Sequence, residues 1–236
     1  METSFLQDIK KRAGKLIEPA LKSGRVLEVR HWEPATMIEI DLHLPEADMD
    51  QWSEVPYIKF RVGNLAFRDY TPTGWDAETR TCTLLIDAAH HGQGSYWARQ
   101  LEKNDRVNYL KIETTHQSPD QTDLIVGLGD ESSIGHLLGL QQLVYPVSRF
   151  WGAITMADGA HRTAFSQYFN TPLVPVSRND HYGSGSLIRW VQDQGFCTEH
   201  TYFYLAGNEG LVIQLRRSLK EMGYMASRIK VKGFWS

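Results

Sequence analysis

The sequence predicts an antiparallel β-barrel followed by a doubly wound α/β domain with a parallel sheet. Three observations carry this. Between residues 26 and 112 short runs alternate apolar and polar residues and are separated by turn signals, with one short helical stretch among them. A polar segment over 114–122, containing Pro119, then reads as a linker. Beyond it, continuous apolar runs alternate with helical periodicity, the pattern of a parallel sheet covered on both faces.

In chain order, residues 5–20 place Phe5, Leu6, Ile9, Ala13, Leu16, Ile17 and Ala20 at helical spacing, so an amphipathic helix is expected over 1–20. Ile38, Ile40, Leu42 and Leu44 alternate with Met37, Glu39, Asp41 and His43, and further strands are expected over 57–62, 67–71, 81–88 and 106–112, with a helix near 95–101. The barrel domain is thus set at 21–116 and the α/β domain at 117–236. Leu124-Ile125-Val126-Gly127-Leu128 reads as a buried parallel strand meeting the turn Gly129-Asp130-Glu131-Ser132-Ser133 and then a helix over 134–143. Strands over 150–155, 173–177, 201–206 and 229–234 alternate with helices near 161–168, 186–193 and 211–222.

Composition excludes several function classes. The net charge of −3 over 236 residues gives no global attraction to nucleic acid or to an anionic membrane, and neither partner is expected. Cys82 and Cys197 are too few for a disulfide framework or a cysteine metal site, so reduced thiols and a soluble, cytoplasmic protein are expected. No Walker loop is present, Ser133 lacks the first glycine of a nucleophile elbow, and His90-His91 stand without the further ligands a metal site needs; no metal is expected. Nothing calls for an oligomer, and a monomer is the expectation.

Two segments suggest a dinucleotide seat. In Arg68-Asp69-Tyr70-Thr71 an arginine suits a pyrophosphate, a tyrosine ring suits stacking on a flat heterocycle, and a threonine suits a hydrogen bond to its edge. In His91-Gly92-Gln93-Gly94-Ser95-Tyr96-Trp97 a glycine turn opens a helix, whose free N–H groups and dipole favour phosphate. Gly127-x-Gly129-x-x-Ser132 nearly matches the dinucleotide fingerprint, although Asp130 and Glu131 are poor company for an anion and suit ribose hydroxyls or the helix dipole better. Gly207-Asn208-Glu209 ends a strand where open α/β sheets bind ligands, and it serves equally well as a helix cap. From Leu211 onward six basic residues face one acidic residue, which makes either a solvated face or a basic wall for an anionic ligand.

These motifs, in this order, resemble the siderophore-interacting protein family, the flavin-dependent ferric-siderophore reductases of the ferredoxin reductase superfamily. The family's Arg-x-Tyr-Thr is matched at 68–71, its His-Gly-x-Gly and Trp-Ala at 91–98, and its Gly-Asp-Glu-Thr by Gly129-Asp130-Glu131-Ser132. Its Ala-Gly-Glu turn, Arg-rich helix and Gly-Tyr-Trp are matched at 206–209, 215–217 and 233–235, and its Gly-Asp by Asn104-Asp105. Thr73 stands where members often carry a second arginine, and Ser95 where they carry proline. The resemblance implies FAD in the barrel and NADH or NADPH on the α/β domain, with electrons passing to ferric iron in a siderophore and Fe(II) released. It assigns Tyr70 and Thr71 to the reacting ring of FAD and Arg68, His91, Gly92, Gly94, Ser95 and Trp97 to the rest of its seat. Gly129, Asp130, Glu131, Ser132, Gly207, Asn208, Glu209 and Trp235 would complete the cofactor sites, and Arg216, Arg217, Lys230 and Lys232 would meet the substrate. A reductase of the same superfamily with another acceptor and a non-redox siderophore-binding protein are the alternatives.

Overall fold

The computed structural model describes residues 18–117, 119 and 124–235. The helix expected over 1–20 and much of the linker lie outside them; Glu18–Ala20 form a single 3-10 turn.

Seven antiparallel strands build the first lobe: β1 (Lys22–Trp32), β2 (Met37–His43), β3 (Pro56–Arg61), β4 (Phe67–Tyr70), β5 (Pro72–Asp76), β6 (Thr81–Asp87) and β7 (Arg106–Thr114), with α1 (Gln93–Gln100) before β7. Their order is β4-β3-β7-β1-β2-β6-β5. The two edges, β4 and β5, are consecutive in the chain and are joined by Thr71 alone, so the sheet rolls round until its edges meet. The result is a barrel with one seam that hydrogen bonds do not close. Ile38, Ile40, Leu42, Ile58, Phe60, Leu84 and Tyr109 fill its interior, the inward set that the alternation marks. Asn104, in the place of the family's glycine, holds the left-handed φ of 76°.

The second lobe alternates β8 (Leu124–Asp130), α2 (Ile134–Val144), β9 (Arg149–Met156), α3 (Gly159–Tyr168), β10 (Leu173–Ser177), α4 (Ser184–Gln194), β11 (Thr201–Asn208), α5 (Glu209–Glu221) and β12 (Ile229–Trp235). All five strands are parallel, in the order β10-β9-β8-β11-β12. Leu187, Val191, Leu211 and Leu215 of α4 and α5 cover one face, and Ile134, Leu137 and Phe165 of α2 and α3 cover the other. The winding direction reverses between β8 and β11, and such a switch point leaves a crevice at the carboxyl ends of the strands.

Several contacts fix the lobes to each other, two of them at α2 and at α3. Helix α2 lies across β5 through Gly135 and Gly139, and Gln142 donates from its amide to the Trp75 carbonyl at 3.0 Å. At the other contact Trp32, on the barrel, packs against His161, Tyr168 and Phe169. Glu39 accepts there from Arg30, from the Trp32 indole at 3.2 Å and from the Tyr168 hydroxyl at 3.1 Å. This covering lobe buries Met37 and Glu39, which strand alternation alone turns away from the barrel interior.

Candidate functional site

A cavity of about 420 Å³ lies between the lobes, directly over the barrel seam. Arg68, Asp69, Tyr70 and Thr71 form one wall, and Ser132, Gly135 and His136 from the start of α2 form another. Gly233, Phe234 and Trp235 close the far side from β12, while Tyr57, Lys59 and Lys232 stand at its basic margin.

The strand and the glycine turn meet. Gly94 sits against Tyr70 so closely that a Cβ there would collide with the phenol oxygen and lie 3.2 Å from Arg68 Cγ, so only glycine lets the ring reach the start of α1. Tyr70 is stacked on Trp97, with centroids 5.8 Å apart and planes 15° from parallel, and burial pushes its hydroxyl up to about 12. Trp97 therefore backs Tyr70 within the barrel cluster and does not line the cavity. The N-cap of α1 is Gly92, which offers no side-chain acceptor. Arg68 is exposed, donates to the Phe67 carbonyl at 2.7 Å and forms no ion pair among the described residues. Arg99 donates to the carbonyls of Ala88 and His90, both at 2.7 Å, and so holds the approach to the turn. His91 is exposed and outside the cavity wall; its neighbour His90 takes that place, its ring 4.8 Å from that of Trp235.

The turn after β8 is organised differently from a phosphate loop. Asp130 is 3% exposed and accepts from the Ser132 amide at 3.0 Å, the Ser132 hydroxyl at 2.6 Å and the Asn208 amide at 2.9 Å. Gly207 has a left-handed φ of 125°, and a Cβ there would lie 2.6 Å from the Asp130 carboxylate. Glu131 accepts from the Ala157 amide at 2.5 Å and pairs with Arg178. Burial raises the pKa of both carboxyls despite these donors. The other helix starts of this lobe are supplied in the same way. Asp158 accepts from Ala160 and His161, Asp180 from the amides of Tyr182, Gly183 and Gly185, and Asn208 from those of Gly210 and Leu211.

Of the residues expected in this lobe, Ser132 and Trp235 reach the cavity and are joined by a hydrogen bond from the indole to Ser132 Oγ at 3.1 Å. Gly129, Asp130, Glu131, Gly207, Asn208 and Glu209 lie just behind its wall. Among the basic residues, Lys232 lines the cavity and sits 5.7 Å from the Tyr57 ring centroid. Lys230 is two residues back on β12, and Arg216 and Arg217 are on α5, with Arg217 paired to Glu221 at 3.0 Å; these three do not line it. Lys59, paired with Asp69 at 2.9 Å, takes a position on the rim that the charge pattern of the C-terminal segment did not reveal. Thr73 is buried on β5 opposite Thr83.

His136 is another lining residue that sequence reasoning missed. It is fully buried, its Nε2 lies 2.7 Å from the Gln117 amide oxygen, and Phe234 stands edge-on with centroids 5.5 Å apart. Burial, with Lys232 adding to it, lowers its pKa to about 3, so the ring is neutral. No signal marked it, because it falls inside the apolar run of α2.

A barrel bearing an open helix start, a parallel lobe behind it and a crevice between them define a two-lobed fold of barrel and α/β lobe. Solved structures place the chain within that fold more narrowly. It superposes on a siderophore utilization protein from T. fusca with a TM-score of 0.68 at 21% identity, covering 92% of this chain and 93% of that one. It matches the siderophore-interacting protein from Acinetobacter baumannii with a TM-score of 0.73 at 13% identity, covering 91% and 90% of the two chains. Phthalate dioxygenase reductase gives 0.73 at 11% identity, over 92% of this chain and 68% of that one. No family model and no curated protein sequence matches the chain. The fold is the one that siderophore-interacting proteins share with ferredoxin-type reductases.

Proposed function

We propose that this protein is a flavin-dependent reductase that draws electrons from NADH or NADPH and delivers them through FAD to ferric iron held in a siderophore, releasing Fe(II). The observation that carries the flavin is the meeting of Arg68 and Tyr70 with the uncapped start of α1 at the edge of the cavity. The residues fit the group. Arg68, without a carboxylate partner among the described residues, and the amides at Gly94 and Ser95 suit a pyrophosphate. The walls made by Tyr70, Thr71 and Phe234 suit a flat ring, and the volume is that of a small-ligand site.

When bound, a flavin converts a two-electron donor into one-electron steps, which is the chemistry that ferric iron needs. The chain's own part is to bind and orient. Tyr70, held flat by Trp97, supplies a face, and Thr71 at the seam supplies a hydroxyl beside it. Phe234 and Trp235 close the cavity from β12 and would hold a donor's nicotinamide against its inner wall. Asp130 and Glu131, turned inward and already hydrogen-bonded, shape the turn behind that wall and leave phosphate to other residues. Lys59 and Lys232 at the rim draw in an anionic ferric chelate.

The superposition on phthalate dioxygenase reductase, described as an electron-transfer protein acting from pyridine nucleotides to [2Fe-2S], favours a second reading in which the acceptor is another protein or a small redox carrier. The visible spectrum of the purified chain tests the flavin, and anaerobic addition of each pyridine nucleotide tests the donor. Steady-state comparison of ferric chelates with quinone and protein acceptors decides between the two readings. Arg68→Ala is expected to weaken FAD binding by about 10-fold to 100-fold, the worth of a charge-assisted hydrogen bond, with thermal stability unchanged because the side chain is exposed. Unchanged affinity in a fluorescence titration would remove Arg68 from the site.

A further inference from the structure

A buried imidazole with one nitrogen unused is expensive at the third position of a core helix. His136 Nδ1 is out of reach of water and has no hydrogen-bond partner among the described residues, and the Gln117 amide nitrogen is in the same condition. An unsatisfied buried polar group of this kind costs about 1–3 kcal/mol, and an apolar residue at 136 would avoid it. The cost is also not explained by the interface between the lobes, since the His136–Gln117 bond uses only the other nitrogen.

The tautomer follows from the partner. The Gln117 carbonyl oxygen faces Nε2, so Nε2 carries the proton and Nδ1 presents a lone pair that can only accept. The ring lines the cavity beside Gly135, whose α-carbon lies against the Thr71 carbonyl, and the edge of Phe234 packs on it. An acceptor that stays neutral at working pH, in a ring on the cavity wall beside the seam but itself covered, suits an N–H donor on a flat heterocycle once that cover is moved. A phosphate or a carboxylate has no proton to give it.

We propose that His136 Nδ1 is a positioning acceptor for a ring N–H of the bound flavin, with Gln117 fixing the tautomer and the flavin replacing the edge of Phe234 against the imidazole. This rests on the flavin reading above. The double variant His136→Leu/Gln117→Met removes both polar groups at near-constant volume. Relative to wild type it is expected to melt at the same or a higher temperature without flavin, while binding FAD about 5-fold to 10-fold more weakly in a fluorescence titration, the worth of one hydrogen bond. A purely structural histidine gives the opposite pair of results, a lower melting temperature and an unchanged affinity, and that outcome overturns the proposal. If the double variant does not fold, the histidine is structural and the proposal fails as well. Nitrogen-15 labelling of wild-type histidines gives a reading independent of any variant: the Nδ1 resonance should move upfield when FAD is added, and a resonance that stays in place refutes the contact. Wild-type protein that takes up no FAD sinks the flavin reading itself, whereas FAD uptake with an unmoved resonance and an unchanged variant sinks only the role of His136.

Discussion

Replacing Gly135 by alanine tests whether the barrel seam and the start of α2 are one unit. A Cβ at 135 would lie 2.7 Å from the Thr71 carbonyl oxygen, a backbone atom that cannot rotate aside. The contact is short of ordinary separation by about 0.7 Å, and overpacking on this scale costs about 1–3 kcal/mol. Alanine returns about 1 kcal/mol through helix propensity, so the net loss is about 0–2 kcal/mol. Gly139→Ala is the internal control. It lies one turn on along the same interface, its nearest neighbours would be the Pro72 carbonyl oxygen at 3.3 Å and the Trp75 ring at 3.4 Å, and the propensity gain should leave it neutral or slightly stabilising. Because the propensity gain is common to both, urea unfolding of the two variants should separate them by about 1–3 kcal/mol, with flavin affinity falling only in the 135 variant because Thr71 is pushed from its place. Equal stabilities, or equal flavin affinities, would refute the claim that Thr71 is positioned by α2.

Two further outcomes follow from charges at the interface and in the cavity. Glu39→Ala leaves the Trp32 indole and Tyr168 hydroxyl without their acceptor while Arg30 keeps Asp41 at 2.7 Å; the expected loss is about 2–4 kcal/mol, seen as a fall in melting temperature of roughly 5–15 °C, and a fall below 2 °C would show that the lobes are held elsewhere. His136, with its folded pKa lowered to about 3, takes up its proton only on unfolding between about pH 6.5 and pH 3, so its contribution to stability falls by about 1.4 kcal/mol for each unit of acidification in that window. Asp130 and Glu131 act in the opposite sense, since their raised pKa makes their ionisation costly at high pH and relieves that cost as pH falls, but they cancel when wild type is compared with His136→Leu/Gln117→Met. Parallel stability profiles for those two proteins between pH 6.5 and 4 would contradict a buried neutral imidazole.

The parallel lobe was readable because its strands are buried on both faces and appear as unbroken apolar runs; each expected strand and helix there falls within two residues of the observed one. In the barrel, β1 was given no bounds, and β5 escaped. It starts with Pro72, contains Thr73 and Gly74, and follows β4 after a single residue, so the two read as one strand ending at Thr71. Of the site, the Arg68–Thr71 strand and the α1 turn carried local signals of their own, but that they touch through Gly94 and Tyr70 depends on tertiary approach, which no spacing encodes. The basic residues near the C-terminus illustrate the limit of charge patterns: helix and strand periodicity send Arg216 and Arg217 to the outer face of α5 and Lys232 to the crevice, while Lys59 arrives from β3, far away in sequence. Asp130 and Glu131 looked misplaced beside a phosphate because their carboxylates are internal fixtures of the turn.

The parallel lobe's supply of its own acceptors to its helix starts has a consequence for competition in solution. Asp130, Asp158, Asp180 and Asn208 already occupy the places that a free oxyanion would take there, while the start of α1 keeps its amides for an incomer. On the proposed reading, sulfate or inorganic phosphate in the buffer would contend with only one of two dinucleotides. FAD in the barrel would be displaced as the salt is raised, and a hydride donor on the parallel lobe would be left largely alone.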